Sequence, residues 1–160
     1  MADPRGPSSK IELRVLRAHH TAVVRETIGQ NDIPTAIGRM FQLVTEALHR
    51  QGVEPSGSPF ARYHSFGDTV DLEAGVPVPT PIQPDGTVVP GELPAGPAAL
   101  AVHAGPYEGL AGTYAAIEAW LASTGRTASG GPWEIYLTDP SAEPDPTKWL
   151  TEVIFPLPTS

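Results

Sequence analysis

The strongest constraint on this chain is that it repeats itself. Shifted by 73 positions, Gly52, Ser56, Gly57, Pro59 and Tyr63 land on Gly125, Ser129, Gly130, Pro132 and Tyr136, and Phe60 lands on Trp133. A shift of 79 takes Glu73 and Pro77 to Glu152 and Pro156, and the glycines Gly29 and Gly105 are 76 apart (105 − 29). One match is chance; an ordered series implies two copies of one structural unit.

Each copy has the same order of elements. Ile11, Leu13 and Val15 alternate with Glu12 and Arg14, the pattern of a half-buried strand. A polar break at His19-His20 precedes a second strand over residues 21–27. Asn31 or Asp32 is placed to cap a helix, and Pro34 suits its first turn. Over residues 34–51 the apolar stripe is Ile37, Met40, Phe41, Val44 and Leu48, core positions at helical spacing. Glu46 and Arg50 are an i,i+4 pair, and Gly52 ends the helix in the left-handed conformation. Strands over 59–65 and 70–78 follow, then a Pro-rich loop over 79–87 and a strand over 87–93 bent by Pro90. The second copy runs from a strand at 98–103 through the turn Gly105-Pro106 to a helix from about Tyr107. Its stripe is Leu110, Tyr114, Ile117 and Leu121, and Gly125 stops it. A strand at Trp133, a loop over 139–147 and a strand over 149–157 complete it.

The predicted fold class is therefore α+β, two pseudo-symmetric β-β-α-β-β halves at about 11–78 and 88–157. They form a single domain over 11–157 behind a tail, residues 1–10, expected to be disordered. One such half buries too little to stand alone. Two halves sharing a core leave a central groove, where side chains from both converge.

Charge narrows the partners. A net charge of −8 with ten basic residues and no basic run argues against direct nucleic-acid binding. No run of about 18 apolar residues marks a membrane span, and the polar start lacks a signal peptide's apolar core. The absence of cysteine excludes disulfides and thiolate metal sites and fits a cytoplasmic protein. His19 and His20 point opposite ways in a strand, and His49, His64 and His103 lack short-spaced partners, so no metal is expected. No phosphate loop, nucleophile elbow or zinc-helix motif is present, and no cofactor is expected.

The candidate site centres on residues 131–140, read as a strand. Alternation puts Trp133, Ile135 and Leu137 on one face and Glu134 and Tyr136 on the other. A carboxylate in mid-strand either solubilises a wet face or lines a concave site. If buried, Glu134 needs a partner: an incoming organic cation, or an arginine such as Arg62 or Arg126. Tyr136 and its repeat mate Tyr63 have the same parity and suit either facing groove walls or ordinary sheet packing. Tyr107 and Trp149, at element junctions, are placed to stack on a ligand cation; Trp149 equally suits a loop plug. Trp133 and Trp120 have apolar neighbours and belong to the core. Glu152 shares a face with Ile154 and is either a second acidic wall or an exposed edge residue.

With this order in view the chain resembles the GyrI-like family of small-molecule-binding domains, the effector-binding domains of BmrR-type multidrug regulators. The resemblance rests on Phe60-Ala61-Arg62-Tyr63, residues 71–78 (DLEAGVPV), residues 93–96 (LPAG), His103-Ala104-Gly105-Pro106-Tyr107, residues 133–140 (WEIYLTDP) and residues 151–157 (TEVIFPL), and spans about 11–157. It implies a sheet with two helices on one face and a ligand groove along the pseudo-dyad. It further implies bulky, lipophilic, cationic or aromatic ligands held by a buried glutamate, the role that falls on Glu134. Some relatives hydrolyse strained cyclopropane-bearing natural products, which makes a hydrolase using Glu134 and Tyr136 the alternative to a binder. Inhibition of a protein partner, in the manner of a gyrase inhibitor, is a third reading. About ten residues precede the first strand, too few for a helix-turn-helix, so a stand-alone member is expected.

Overall fold

The computed structural model describes residues 10–159; apart from Lys10, the tail lies outside the described residues. In chain order the elements are β1 (Glu12–Leu16), β2 (His19–Gly29), α1 (Ile33–Gln51), β3 (Phe60–Phe66), β4 (Thr69–Pro77), β5 (Val89–Leu93), β6 (Gly96–Ala104), α2 (Leu110–Ser123), β7 (Trp133–Tyr136) and β8 (Leu150–Pro156). This is a mixed α+β fold.

The chain forms two compact units. Residues Arg17–Ala95 hold four strands in the order β3-β4-β2-β5, with α1 over β2 and β4. Residues 10–16 together with 96–159 hold β1-β6-β8-β7, with α2 over β6 and β8. The pairings within each are antiparallel. Each half of the repeat thus contributes its first strand to the other's sheet: β1 pairs with β6, and β5 with β2.

Internal geometry confirms the duplication. Glu73 stands opposite Arg25 on β2 and Arg62 on β3; Glu152, 79 residues on, stands opposite Val102 on β6 and Ile135 on β7. Those partners are 77 and 73 residues on, so the register is conserved strand by strand. Gly52 and Gly125 adopt φ 67° and 69°, the left-handed stop that a Cβ disfavours. The hydrogen bonds around them repeat too: Val53 N–H to Leu48 O and Arg126 N–H to Leu121 O, then Ser56 N–H to Pro77 O and Ser129 N–H to Pro156 O.

Each helix buries one face. Ala36, Met40, Val44, Ala47 and Leu48 form that of α1; Ile37 and Phe41 are only half-buried, so its centre is turned toward the two alanines. Leu110, Ile117 and Leu121 of α2 join Ala99, Ala101, Val153, Phe155 and Leu157 in one cluster, with Tyr114 packed against it. Among the described residues no helix is long and apolar enough to cross a membrane.

Several local expectations are corrected. β1 forms, but its outer position leaves Leu13 49% and Val15 79% exposed rather than half-buried. His19 and His20 do not break the chain; they extend β2, opposite Leu93 and Glu92 of β5. Asp32 makes no side-chain cap. Arg50 turns from Glu46 to Asp85, at 2.8 Å, and Gln42 reaches Glu46 instead. A 3-10 turn over Tyr107–Gly109 leads into α2, which starts at Leu110.

Candidate functional site

The site lies within the unit formed by β1, β6, β7, β8 and α2. Register aligns Ala101, Val153 and Glu134 in one row across β6, β8 and β7, and His103, Thr151 and Tyr136 in the next. Alternation puts both rows on one face. That face is under α2, because Ala101 and Val153 share a cluster with Leu110, Ile117 and Leu121. Trp133 points the other way and is buried as core.

Glu134 is 5% exposed. Tyr114, from α2, donates its hydroxyl to Oε2 at 2.7 Å. Tyr136, two residues along the strand, donates to Oε1 at 2.7 Å. Burial pushes the carboxyl's pKa above the ordinary glutamate value; the two tyrosine hydroxyls pull it back only in part. Two hydrogen bonds to a carboxylate stabilise it by about 1.5–3 kcal/mol each, yet desolvation remains the larger influence. Among the described residues Glu134 has no lysine or arginine ion-pair partner. Arg126, one of the two arginines considered for that role, lies over the Trp120 ring at 5.2 Å.

Aromatic rings extend from the carboxylate in both directions. The Tyr136 ring meets Tyr107 edge-on at 5.8 Å, and Tyr107 meets Trp149 at 5.0 Å, tilted by 33°. On the other side Tyr114 meets Phe155 edge-on at 5.7 Å. Trp149 is fixed by its indole N–H, which donates to Glu143 O at 2.8 Å. The Gly105 N–H to Trp149 O bond, 2.8 Å, ties the turn carrying Tyr107 to the start of β8. Tyr107 is 37% exposed, the outermost of these tyrosines. Burial first, then the charges of Asp139 and Glu134, raise its pKa, so its hydroxyl stays protonated.

His103, 7% exposed, closes the second row. Its Nε2–H donates to Pro106 O at 2.8 Å, which leaves Nδ1 of the neutral ring to accept from the Thr113 hydroxyl at 3.1 Å. A Cβ on Gly109 would come within 2.7 Å of the ring's Cε1, so glycine there makes room for the imidazole. Thr151, between His103 and Tyr136, is fully buried, and its hydroxyl has no hydrogen-bond partner among the described residues. Thr151→Val keeps the shape and removes that desolvated hydroxyl, so stability should rise by about 1 kcal/mol. Urea denaturation measures this; a loss of stability would show that the hydroxyl is engaged.

Of the residues singled out in the sequence, Glu134, Tyr136, Tyr107 and Trp149 come together here. Glu152 does not: it stands beside Ile135, on the sheet face away from Glu134, 3.7 Å from Arg14. Tyr63 lies in the other unit, opposite Leu72 and edge-on to Phe66 at 6.0 Å. Tyr114 and His103 were missed. The available signal for Tyr114 was a hydroxyl on the otherwise apolar stripe of α2; for His103 it was parity, which puts it on the face of Ala99 and Ala101. Among the described residues no three His, Asp or Glu side chains converge as a metal site.

The chain matches the GyrI-like small molecule binding domain over residues 9–158, and it belongs to that family. Among solved structures it resembles the C-terminal domain of EcmrR, at TM-score 0.83 and 19% identity, covering 94% of this chain and 98% of that one. The EcmrR chain in a complex with DNA gives TM-score 0.85 and 21% identity over 94% of this chain, which spans 58% of that chain's length. SAV2435 bound to tetraphenylphosphonium gives TM-score 0.67 and 12% identity, covering 93% and 94% of the two chains. At these identities the structural likeness speaks for the fold. No curated protein sequence matches the chain.

Proposed function

We propose that this protein binds bulky, lipophilic aromatic cations through Glu134, as a drug sensor or sequestering protein. One observation carries the reading: Glu134 is buried with neutral hydroxyls on both oxygens, and its pKa is raised because they do not offset its desolvation. An organic cation supplies the missing counter-charge. Tyr107, Tyr136 and Trp149 supply faces for its rings and cation–π attraction of about 0.5–2 kcal/mol each. The tetraphenylphosphonium named with SAV2435 has this chemistry.

The test is calorimetric titration with tetraphenylphosphonium and with neutral triphenylphosphine oxide across pH. The cation should bind more tightly at neutral pH, and the neutral compound should vary little. Because the raised pKa places protonation of Glu134 above the ordinary glutamate range, cation affinity should fall as pH drops through that higher window. Equal, pH-independent affinities would remove Glu134 from the mechanism.

The raised pKa also favours acid–base work, and with it the hydrolytic alternative, in which Glu134 activates water and Tyr136 or Tyr114 donates to developing negative charge. Against this, both carboxylate oxygens already accept a hydroxyl, so water would have to displace one. Incubation with a strained cyclopropane electrophile, followed by mass spectrometry, should show no product one water heavier. Turnover lost in Glu134→Ala would establish the enzyme.

A further inference from the structure

β1 ends the sheet of one unit and β5 ends that of the other, and the two strands differ in a way that points to an association surface. β5 reads Val89-Pro90-Gly91-Glu92-Leu93; its proline lacks an N–H and its glycine weakens extended pairing, so it resists another strand. β1 reads Glu12-Leu13-Arg14-Val15-Leu16, with neither residue, and its two exposed apolar side chains lie on the alternation face opposite Glu12 and Arg14. An outer strand carries one edge of N–H and C=O groups that its own sheet does not use.

We propose that β1 is a self-association edge, on which a second copy of this chain pairs antiparallel about a two-fold axis at Leu13. The sequence is self-complementary about that point. Such pairing sets Leu13 against Leu13, Ile11 of one copy against Val15 of the other, and Glu12 of one against Arg14 of the other. Apolar pairs fill one face and two opposite-charge pairs fill the other, the combination that favours cross-strand pairing. Within one copy Arg14 and Glu12 are already 3.0 Å apart, with side chains 45% and 52% exposed, so pairing sets two such dipoles side by side and antiparallel, a double row of four charges. A two-fold contact closes at the dimer and leaves no edge for growth.

The interface is short, so the dimer is weak and dissociates on dilution. Sedimentation velocity on the full chain from about 10 µM to about 1 mM covers the range for so small a contact. The wild type should pass from monomer to dimer. Arg14→Glu alone makes the row wholly acidic and Glu12→Arg alone makes it wholly basic; each should weaken the dimer about tenfold or more. The double exchange, Glu12→Arg with Arg14→Glu, restores opposite charges across the two-fold and should recover dimerisation. All three change exposed side chains, and thermal melts verify that each variant folds. A wild type monomeric throughout, assembly into species larger than a dimer, or a folded double exchange that does not recover would each overturn the proposal.

Discussion

Glu134→Gln should weaken binding of a lipophilic aromatic cation by about 1.5–3 kcal/mol, or about 10- to 150-fold, the range for a charge-assisted contact away from water. Glutamine keeps the shape, and its amide oxygen still accepts from one of the two tyrosines. What is lost is the negative charge. Tyr107, Tyr136 and Trp149 still present their faces, so a neutral ligand of similar outline should lose much less. Fluorescence titration of a cationic dye beside a neutral analogue makes the comparison. Equal losses for both would mean that the substitution altered the shape of the site and that Glu134 supplies no electrostatic attraction.

The same substitution should not harm the fold, which separates lost binding from lost structure. The folded-state pKa of Glu134 is raised mainly by burial. Its contribution to stability is therefore fully present below the unfolded-state pKa and is lost as pH rises through the folded value. Above the folded-state pKa the wild type carries the burden of an ionised, desolvated carboxylate. Glu134→Gln does not, and its melting temperature there should match or exceed that of the wild type. The difference should shrink in acid, where Glu134 is protonated and resembles the amide. A site kept at the expense of stability is what binding function predicts.

Much of this was legible because periodicity is local. Stripes at helical spacing mark α1 and α2, and Gly52 and Gly125 mark their ends. Parity alone put Glu134 and Tyr136 on one strand face. Pairing partners are not written in periodicity. Ile11, Leu13 and Val15 alternate in the same way for a strand on β2 or on β6, so the exchange of β1 and β5 could not be read. Nor could the pattern tell a half-buried strand from an outer one, which is why Leu13 and Val15 were expected inside. Tyr114 escaped for a related reason: on an apolar stripe a tyrosine reads as a core ring, and only the third dimension aims its hydroxyl at Glu134. Arg50 chose Asp85, 35 residues away, over the neighbouring Glu46. Glu152 shows the opposite limit, since repeat arithmetic placed it correctly in register while saying nothing of the face where a ligand would lie.

Gly75→Ala should destabilise the fold by about 4 kcal/mol, the size reserved for a clash that side-chain rotation cannot relieve. Gly75 sits on β4 opposite Val23 of β2 and Phe60 of β3. A Cβ there would run into the Ala22 carbonyl oxygen and lie 2.9 Å from the Val23 Cα, both backbone atoms held in the sheet. Relief requires β2 to move, and β2 carries Ala22, Val23 and Val24, all buried. The repeat sharpens the point. At the equivalent register β8 has Ile154 opposite Leu100 and Trp133, so a large side chain is accepted in one sheet where the other accepts none. The requirement is thus a property of the close approach of β2 to β4, not of the repeat. Gly38→Ala provides the control. It lies in mid-α1, exposed, with nothing within 4 Å of the added Cβ, and it should stabilise by about 0.5–1 kcal/mol through reduced chain entropy and better helix propensity. Urea midpoints for the two variants should move in opposite directions. A Gly75→Ala midpoint within error of the wild type would show that β2 does not approach β4 this closely.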